Sequence, residues 1–183
     1  MPSMNPSAMP PADRPPRTAG QPELVRVDVA ARGPLTVPEL RRDPVLGRYP
    51  LRRLRLPIGA TVLPWIVPDA GSVRRQGTWA DAVVRGAEPP YWLRPWPAAI
   101  ALARHLVRAR SLAGVRVLDL GCGLGVPGGV AARLGAEVCF ADREPDALAF
   151  AVANANSHAV ATTTITSCRL DWARQLVPSA FDV

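Results

Sequence analysis

The sequence predicts an α/β fold built on a parallel sheet, and two patterns carry that prediction. From residue 91 onward, apolar extended runs alternate with helical patterns. Strands alternating with helices form βαβ units, whose strands lie parallel. The first of these runs leads into a glycine cluster that opens a helix, Val117-Leu118-Asp119-Leu120-Gly121-Cys122-Gly123-Leu124-Gly125. Before residue 91 short extended runs are broken by Pro and Gly, which predicts a small β-rich region preceding the α/β part.

The elements follow in order. Residues 1–20 hold six prolines and little to bury, and predict a disordered Pro-rich tail. All three methionines fall in the first nine residues, as they would upstream of a misassigned start codon. Residues 21–90 form the β-rich region, with extended runs at Glu23–Ala30, Leu51–Leu56 and Thr61–Val67. The alternation of Leu-Arg-Arg-Leu-Arg-Leu and the turn signal Pro57-Ile58-Gly59 predict a hairpin or small sheet. Thr78 is placed to cap a short helix over Trp79–Arg85.

Residues 91–183 make the second unit. Pro97–Arg110 sets Ile100, Leu102, Ala103, Leu106 and Val107 at helical spacing, with Pro97 tolerated in the first turn. Strands are predicted over Val115–Leu120, Ala136–Asp142 and Thr162–Leu170. Helices are predicted from the glycine cluster through Arg133 and over Pro145–Asn156, and Ala180-Phe181-Asp182-Val183 opens a fourth strand.

Composition narrows the chemistry. Of 183 residues, 48% are hydrophobic and 20% charged, an ordinary globular balance. The chain contains no lysine, so all 22 basic residues are arginine. This excludes a Walker-type phosphate loop, whose lysine must reach the phosphates, and a Schiff-base lysine. The net charge of +7 is unevenly spread: residues up to Gly114 carry 17 Arg and 8 acids, those from Val115 onward 5 Arg and 7 acids. Cys122, Cys139 and Cys168 show no CxxC or zinc spacing, and His105 and His158 stand apart, so neither a disulfide scaffold nor a metal site is expected. The N-terminus lacks the pattern of a signal peptide, and the apolar stretch Leu56–Pro68 holds three prolines and is too short for a bilayer. A cytoplasmic protein with no membrane association is the expectation.

The glycine cluster points to a ligand. Glycines at a strand-to-helix turn allow positive φ and close backbone approach at a helix N-terminus. A dinucleotide loop, GxGxxG, needs its third glycine at position 126, which is Val126. Asp119 argues the same way, because a carboxylate beside the loop repels a pyrophosphate but suits the cationic ammonium of an adenosyl sulfonium amino acid. Asp142 ends the second strand about twenty residues after the loop, where a carboxylate takes both ribose hydroxyls. Asp171 follows the third strand and can accept from an adenine amino group. The plainer alternatives are that Asp142 is a helix N-cap and Asp171 a turn residue.

These motifs resemble a family. Val117–Gly125 with Val130–Leu148 looks like the S-adenosylmethionine-dependent methyltransferases of class I. The element Pro90-Tyr91-Trp92-Leu93-Arg94-Pro95-Trp96-Pro97, with the Leu-Ala-Arg-His-Leu helix and Asn154 and Asn156, is similar to the seven-β-strand protein-lysine methyltransferases. The resemblance covers about residues 88–183 and implies a Rossmann-like parallel sheet. It implies that Asp119, Gly121, Cys122, Gly123 and Gly125 hold the methionine part of S-adenosylmethionine. Asp142 then holds the ribose, Asp171 and Trp172 the adenine side, and Trp96 the cofactor's edge, with Arg143 a further cofactor-binding residue. A packed aromatic cap is the alternative for Trp92 and Trp96. In the family the fourth strand leads into an acid-and-tyrosine motif that shapes the substrate pocket. The chain stops at Val183, so the domain is expected to be incomplete at its C-terminus, and no catalytic base is assigned.

The activity expected is N-methylation of a protein lysine. The alternatives are a nucleic-acid or small-molecule methyltransferase, or a cofactor-binding remnant without catalysis. Six arginines between Arg41 and Arg55 could track a phosphate backbone, but aromatic residues are not regularly interleaved with them, Tyr49 alone falling in the run. An acidic protein is therefore the favoured partner.

Overall fold

The computed structural model describes residues 24–27, 36–75, 90–109, 111–160, 163–175 and 181–183. The predicted tail and the helix expected over Trp79–Arg85 lie outside the described residues. The elements are β1 (Leu24–Val27), α1 (Val37–Arg42), β2 (Leu51–Ile58), β3 (Thr61–Pro68), α2 (Ala70–Arg75), α3 (Pro97–Leu106), β4 (Arg116–Leu120), α4 (Val126–Arg133), β5 (Glu137–Asp142), α5 (Pro145–Asn156) and β6 (Ile165–Arg169). Single 3₁₀ turns occupy Leu46–Arg48 and Tyr91–Leu93.

Strands β4, β5 and β6 pair in parallel in the order β6-β5-β4, with α4 and α5 as the crossovers. This is the Rossmann-like α/β arrangement that the strand–helix alternation predicts. The apolar run of β5, Val138 to Ala141, is buried throughout, as a parallel strand covered on both faces requires. Phe181–Val183 lies along the free edge of β4: Leu118 N–H donates to Val183 O at 2.9 Å and Asp182 N–H to Arg116 O at 2.9 Å. Arg116 pairs with the Asp182 carboxylate at 3.0 Å on the same edge. The position of the expected fourth strand is thus occupied, with backbone bonds on β4.

One feature departs from expectation. β1 is not part of a separate N-terminal sheet; it joins β6 antiparallel, Leu24 opposite Cys168. The extended run of β1 is legible in the sequence but its partner is not, because pairing of distant strands leaves no local signal.

The hairpin β2–β3 forms in register from Leu51 opposite Pro68 to Ile58 opposite Thr61, with Gly59 at φ 61° in the turn. Pro57 is a strand residue, so the turn is one residue later than Pro57-Ile58-Gly59 suggests. The hairpin packs on α4 and α5, and its core is continuous with theirs: Trp65, Ile66, Val67, Val126, Val130 and Phe150 are buried together. Gly129 makes this possible, because a Cβ there would stand 2.6 Å from Trp65 Cη2. All three cysteines are free and buried. No helix among the described residues is long and apolar enough to cross a membrane, and none of their His, Cys, Asp and Glu side chains group as a metal site.

Candidate functional site

The site grows from the C-terminal ends of the parallel strands, where ligands of open α/β sheets bind. β4 ends at Leu120, and the chain turns through Gly121, Gly123 and Gly125, all at positive φ. Gly125 is the most constrained: at φ 71° it caps α4, and an added Cβ would lie 2.7 Å from Ala151 Cβ and 3.0 Å from Phe140. Gly121 and Cys122 both donate N–H to Ala141 O, at 2.8 and 3.1 Å, and tie the loop to β5. The Cys122 thiol is pushed well up by burial, so this residue contributes its backbone rather than a thiolate.

Asp142, buried at the end of β5, accepts Gly123 N–H on Oδ2 at 2.9 Å and Glu144 N–H on Oδ1 at 3.0 Å. Asp142 is not the N-cap of α5, which is Glu144; it bonds the backbone just before that helix and also faces the glycine loop. Each of its oxygens retains a second lone pair.

A cleft of about 730 Å³ opens over this loop. Of the ten residues expected to hold a cofactor, Trp96, Gly121, Cys122, Gly123, Asp142, Arg143, Asp171 and Trp172 line it. Asp119 and Gly125 do not. The Asp119 carboxylate is turned behind the loop, where Oδ2 accepts the N–H of Gly128 at 2.9 Å. Burial raises its pKa to about 7, the Gly128 bond opposes the shift, and the nearby Asp142 adds to it. The expectation that Asp119 meets the ligand directly thus meets a different geometry: it fastens the strand end to the first turn of α4. Gly128 permits this, because a Cβ there would stand 2.4 Å from Phe140 and 2.8 Å from Asp119 Oδ2.

The far wall is aromatic. Trp172 is half-exposed and rests its ring on Gly121, whose added Cβ would meet it at 2.9 Å. Asp171 accepts Ala173 N–H at 3.0 Å and lies 3.6 Å from Arg174 Nε, so it shapes its own turn while lining the cleft. Trp96 donates its indole N–H to Tyr91 O at 2.9 Å, and the Arg94 guanidinium sits 4.6 Å above its ring. Trp92 is buried and lines the cleft, so the aromatic-cap reading holds for its packing. Arg143 is 3.5 Å from Glu144 in an exposed ion pair.

Sequence reasoning missed Glu144, Leu170 and Val126 in the lining. Their signal was available, since each directly adjoins or ends a predicted strand or loop. It also missed the supports behind the loop. The carbonyl of Leu124 accepts Trp65 Nε1 at 2.9 Å and Asn154 Nδ2 at 3.2 Å. Asn154 also pairs with both backbone groups of Ile66, at 2.8 and 3.0 Å. His158 stacks on Trp65, 4.9 Å between centroids, and its ring nitrogen meets Pro64 O at 2.7 Å. Burial lowers the pKa of His158, which favours the neutral ring with Nε2–H donating. Tyr49 packs edge-on against Trp92 and Phe150, and its hydroxyl donates to Asp146, which also pairs with Arg48 at 2.7 Å. No described residue before Pro90 lines the cleft, so the hairpin supports the site from behind.

The parallel sheet and the glycine loop at its strand ends form a ligand cleft of the kind that open α/β sheets carry. Residues 93–183 match the family described as lysine methyltransferase. The chain is 44% identical over 61 residues to the electron transfer flavoprotein beta subunit lysine methyltransferase of Danio rerio, covering 33% of this chain and 23% of that protein. It is 47% identical over 64 residues to protein N-lysine methyltransferase METTL21A of Danio rerio, 34% of this chain and 29% of that protein. A third relative, histone-arginine methyltransferase METTL23 of Homo sapiens, is 46% identical over 48 residues, 26% of this chain and 25% of that protein. The chain spans about a quarter of the length of these relatives.

Proposed function

We propose that the cleft binds S-adenosylmethionine and that the protein transfers its methyl group to a side-chain nitrogen of another protein, most favourably a lysine. The observation that carries this reading is Asp142: a buried carboxylate that lines the cleft, anchored to Gly123, with one N–H accepted on each oxygen and acceptor capacity left on both. Two such acceptors suit the vicinal hydroxyls of a ribose. Trp172 offers an aromatic surface to a base, and the cleft falls within the about 300–1,000 Å³ of small-molecule sites. Asp119 in this reading is a positioning residue for the glycine loop.

When bound, the cofactor supplies an electrophilic sulfonium methyl. The chain's own contribution is orientation: Asp142 fixes the sugar, the bare glycine backbone of the loop lets the amino-acid end approach, and Trp96 and Trp172 wall the cleft. In-line placement of this kind supplies most of what methyl transfer asks of a protein.

The names of the relatives divide between lysine and arginine as acceptor, so the acceptor is tested directly. The protein is incubated with methyl-tritiated cofactor, a protein extract and total RNA, and labelled residues are identified by acid hydrolysis. Label in methyl-lysine is expected. Label in methyl-arginine moves the acceptor, label in RNA contradicts protein methylation, and no label in any fraction contradicts the enzyme reading.

A further inference from the structure

A second groove lies at the far ends of α3 and α4 from the cleft. It occupies about 600 Å³ between the tip of the β2–β3 hairpin and the C-terminal ends of α3 and α4. Ala99 of α3 and Val126 of α4 line the cleft, whereas Arg104 of α3 and Arg133 of α4 line the groove. The seven residues from Val126 to Arg133 span about 10 Å at 1.5 Å per residue, so the two sites are separated by the length of a helix.

Three exposed arginines rim this groove: Arg104 and Arg108, one helical turn apart, and Arg133 opposite them. Its floor is apolar, with Leu63, Val107 and Val130, and none of the lining residues is acidic or aromatic. Among the described residues none of the three arginines pairs with a carboxylate; Arg104 Nε donates to Pro57 O at 2.9 Å, which fixes the hairpin tip against α3. Arginines in a last helical turn ordinarily offset the helix dipole, about half a negative charge at each end. Two helix ends therefore offset about one of the three positive charges, and roughly two remain.

We propose that this groove is a docking surface for an acidic segment of a partner polypeptide, one in which carboxylates alternate with apolar side chains. The carboxylates meet the three guanidiniums, and the apolar side chains cover the half-buried Val107 at the floor. Nucleic acid fits less well, because the groove offers no aromatic platform for bases. The separation from the cleft makes this a surface that recruits a partner, and it stands independently of the methyl-transfer reading.

The test uses the full chain and a fluorescein-labelled peptide of six Glu-Leu repeats, with anisotropy followed as salt rises. The double variant Arg108→Glu/Arg133→Glu spares the Arg104–Pro57 bond. Its binding is expected to weaken about tenfold or more, and that of the unaltered chain to fall with salt. The control Arg52→Glu/Arg53→Glu, on exposed arginines outside this groove, is expected to bind within about twofold of the unaltered chain. S-adenosylhomocysteine affinity and the melting temperature are measured on all three proteins, so loss of fold or of the cofactor site is seen separately. The proposal is overturned by undetectable peptide binding at low salt, by equal losses in the two double variants, or by an oligouridine RNA that binds more tightly than the peptide and is lost with Arg108→Glu/Arg133→Glu.

Discussion

Asp119 and Asn154 decide the shape of the glycine loop without meeting a ligand in the cleft. The Asp119 carboxyl has a folded pKa of about 7 against 3.8 for the free side chain, so the folded chain holds this proton more tightly than the unfolded one. Its contribution is therefore fully present below about pH 4, falls as pH rises towards 7 and is flat above. Denaturant titrations of the unaltered chain and Asp119→Asn are expected to diverge over this window, the unaltered chain losing on the order of 2–4 kcal/mol relative to the variant. Parallel pH profiles would contradict the buried, protonatable carboxyl. Asn154→Leu removes the partners of both Ile66 backbone groups and is expected to cost about 2–5 kcal/mol, since each buried group left unpaired costs about 1–3 kcal/mol. A melt unchanged by Asn154→Leu would show that Ile66 and Leu124 find other partners.

At the scale of elements, the loop and α4 are held by close approach. Gly125→Ala forces a side chain into positive φ and into Ala151 at 2.7 Å. Left-handed backbone alone costs about 1–2 kcal/mol per residue, and the contact adds to it. Gly125→Ala is expected to lower stability by at least about 2 kcal/mol in chemical denaturation and to weaken S-adenosylhomocysteine binding with it. An equal melting midpoint would contradict the packing described. This is also where the sequence reads best and worst. Strands β4, β5 and β6 and helices α3, α4 and α5 were legible because apolar runs and helical periods are local signals; Gly121 and Asp142 were singled out from their places at strand ends, and Trp172 only through the family resemblance. The 3₁₀ turns carried no such signal, whereas α2 follows Asp69, whose Oδ1 accepts Gly71 N–H at 3.2 Å. α1 did carry one, since Thr36 and Glu39 form a capping box, Glu39 N–H to Thr36 Oγ1 at 3.4 Å and Thr36 N–H to Glu39 Oε2 at 2.7 Å. The inward turn of Asp119 was illegible, because it depends on how closely Gly128 lets α4 approach β5.

The whole molecule joins a parallel sheet, whose strand ends make a ligand cleft, to a hairpin that buttresses the loop from behind through Trp65 and Asn154. Binding at the cleft rests on Asp142, which reaches the cleft as a buried carboxylate with an acceptor site left on each oxygen. The most direct measurement is calorimetric titration of the chain and of Asp142→Ala with S-adenosylhomocysteine and with NAD. The unaltered chain is expected to prefer S-adenosylhomocysteine. Asp142→Ala is expected to lose about 1.5–3 kcal/mol for each charged hydrogen bond removed. Equal affinity for NAD, or S-adenosylhomocysteine binding unchanged by Asp142→Ala, would contradict the assignment of the cleft.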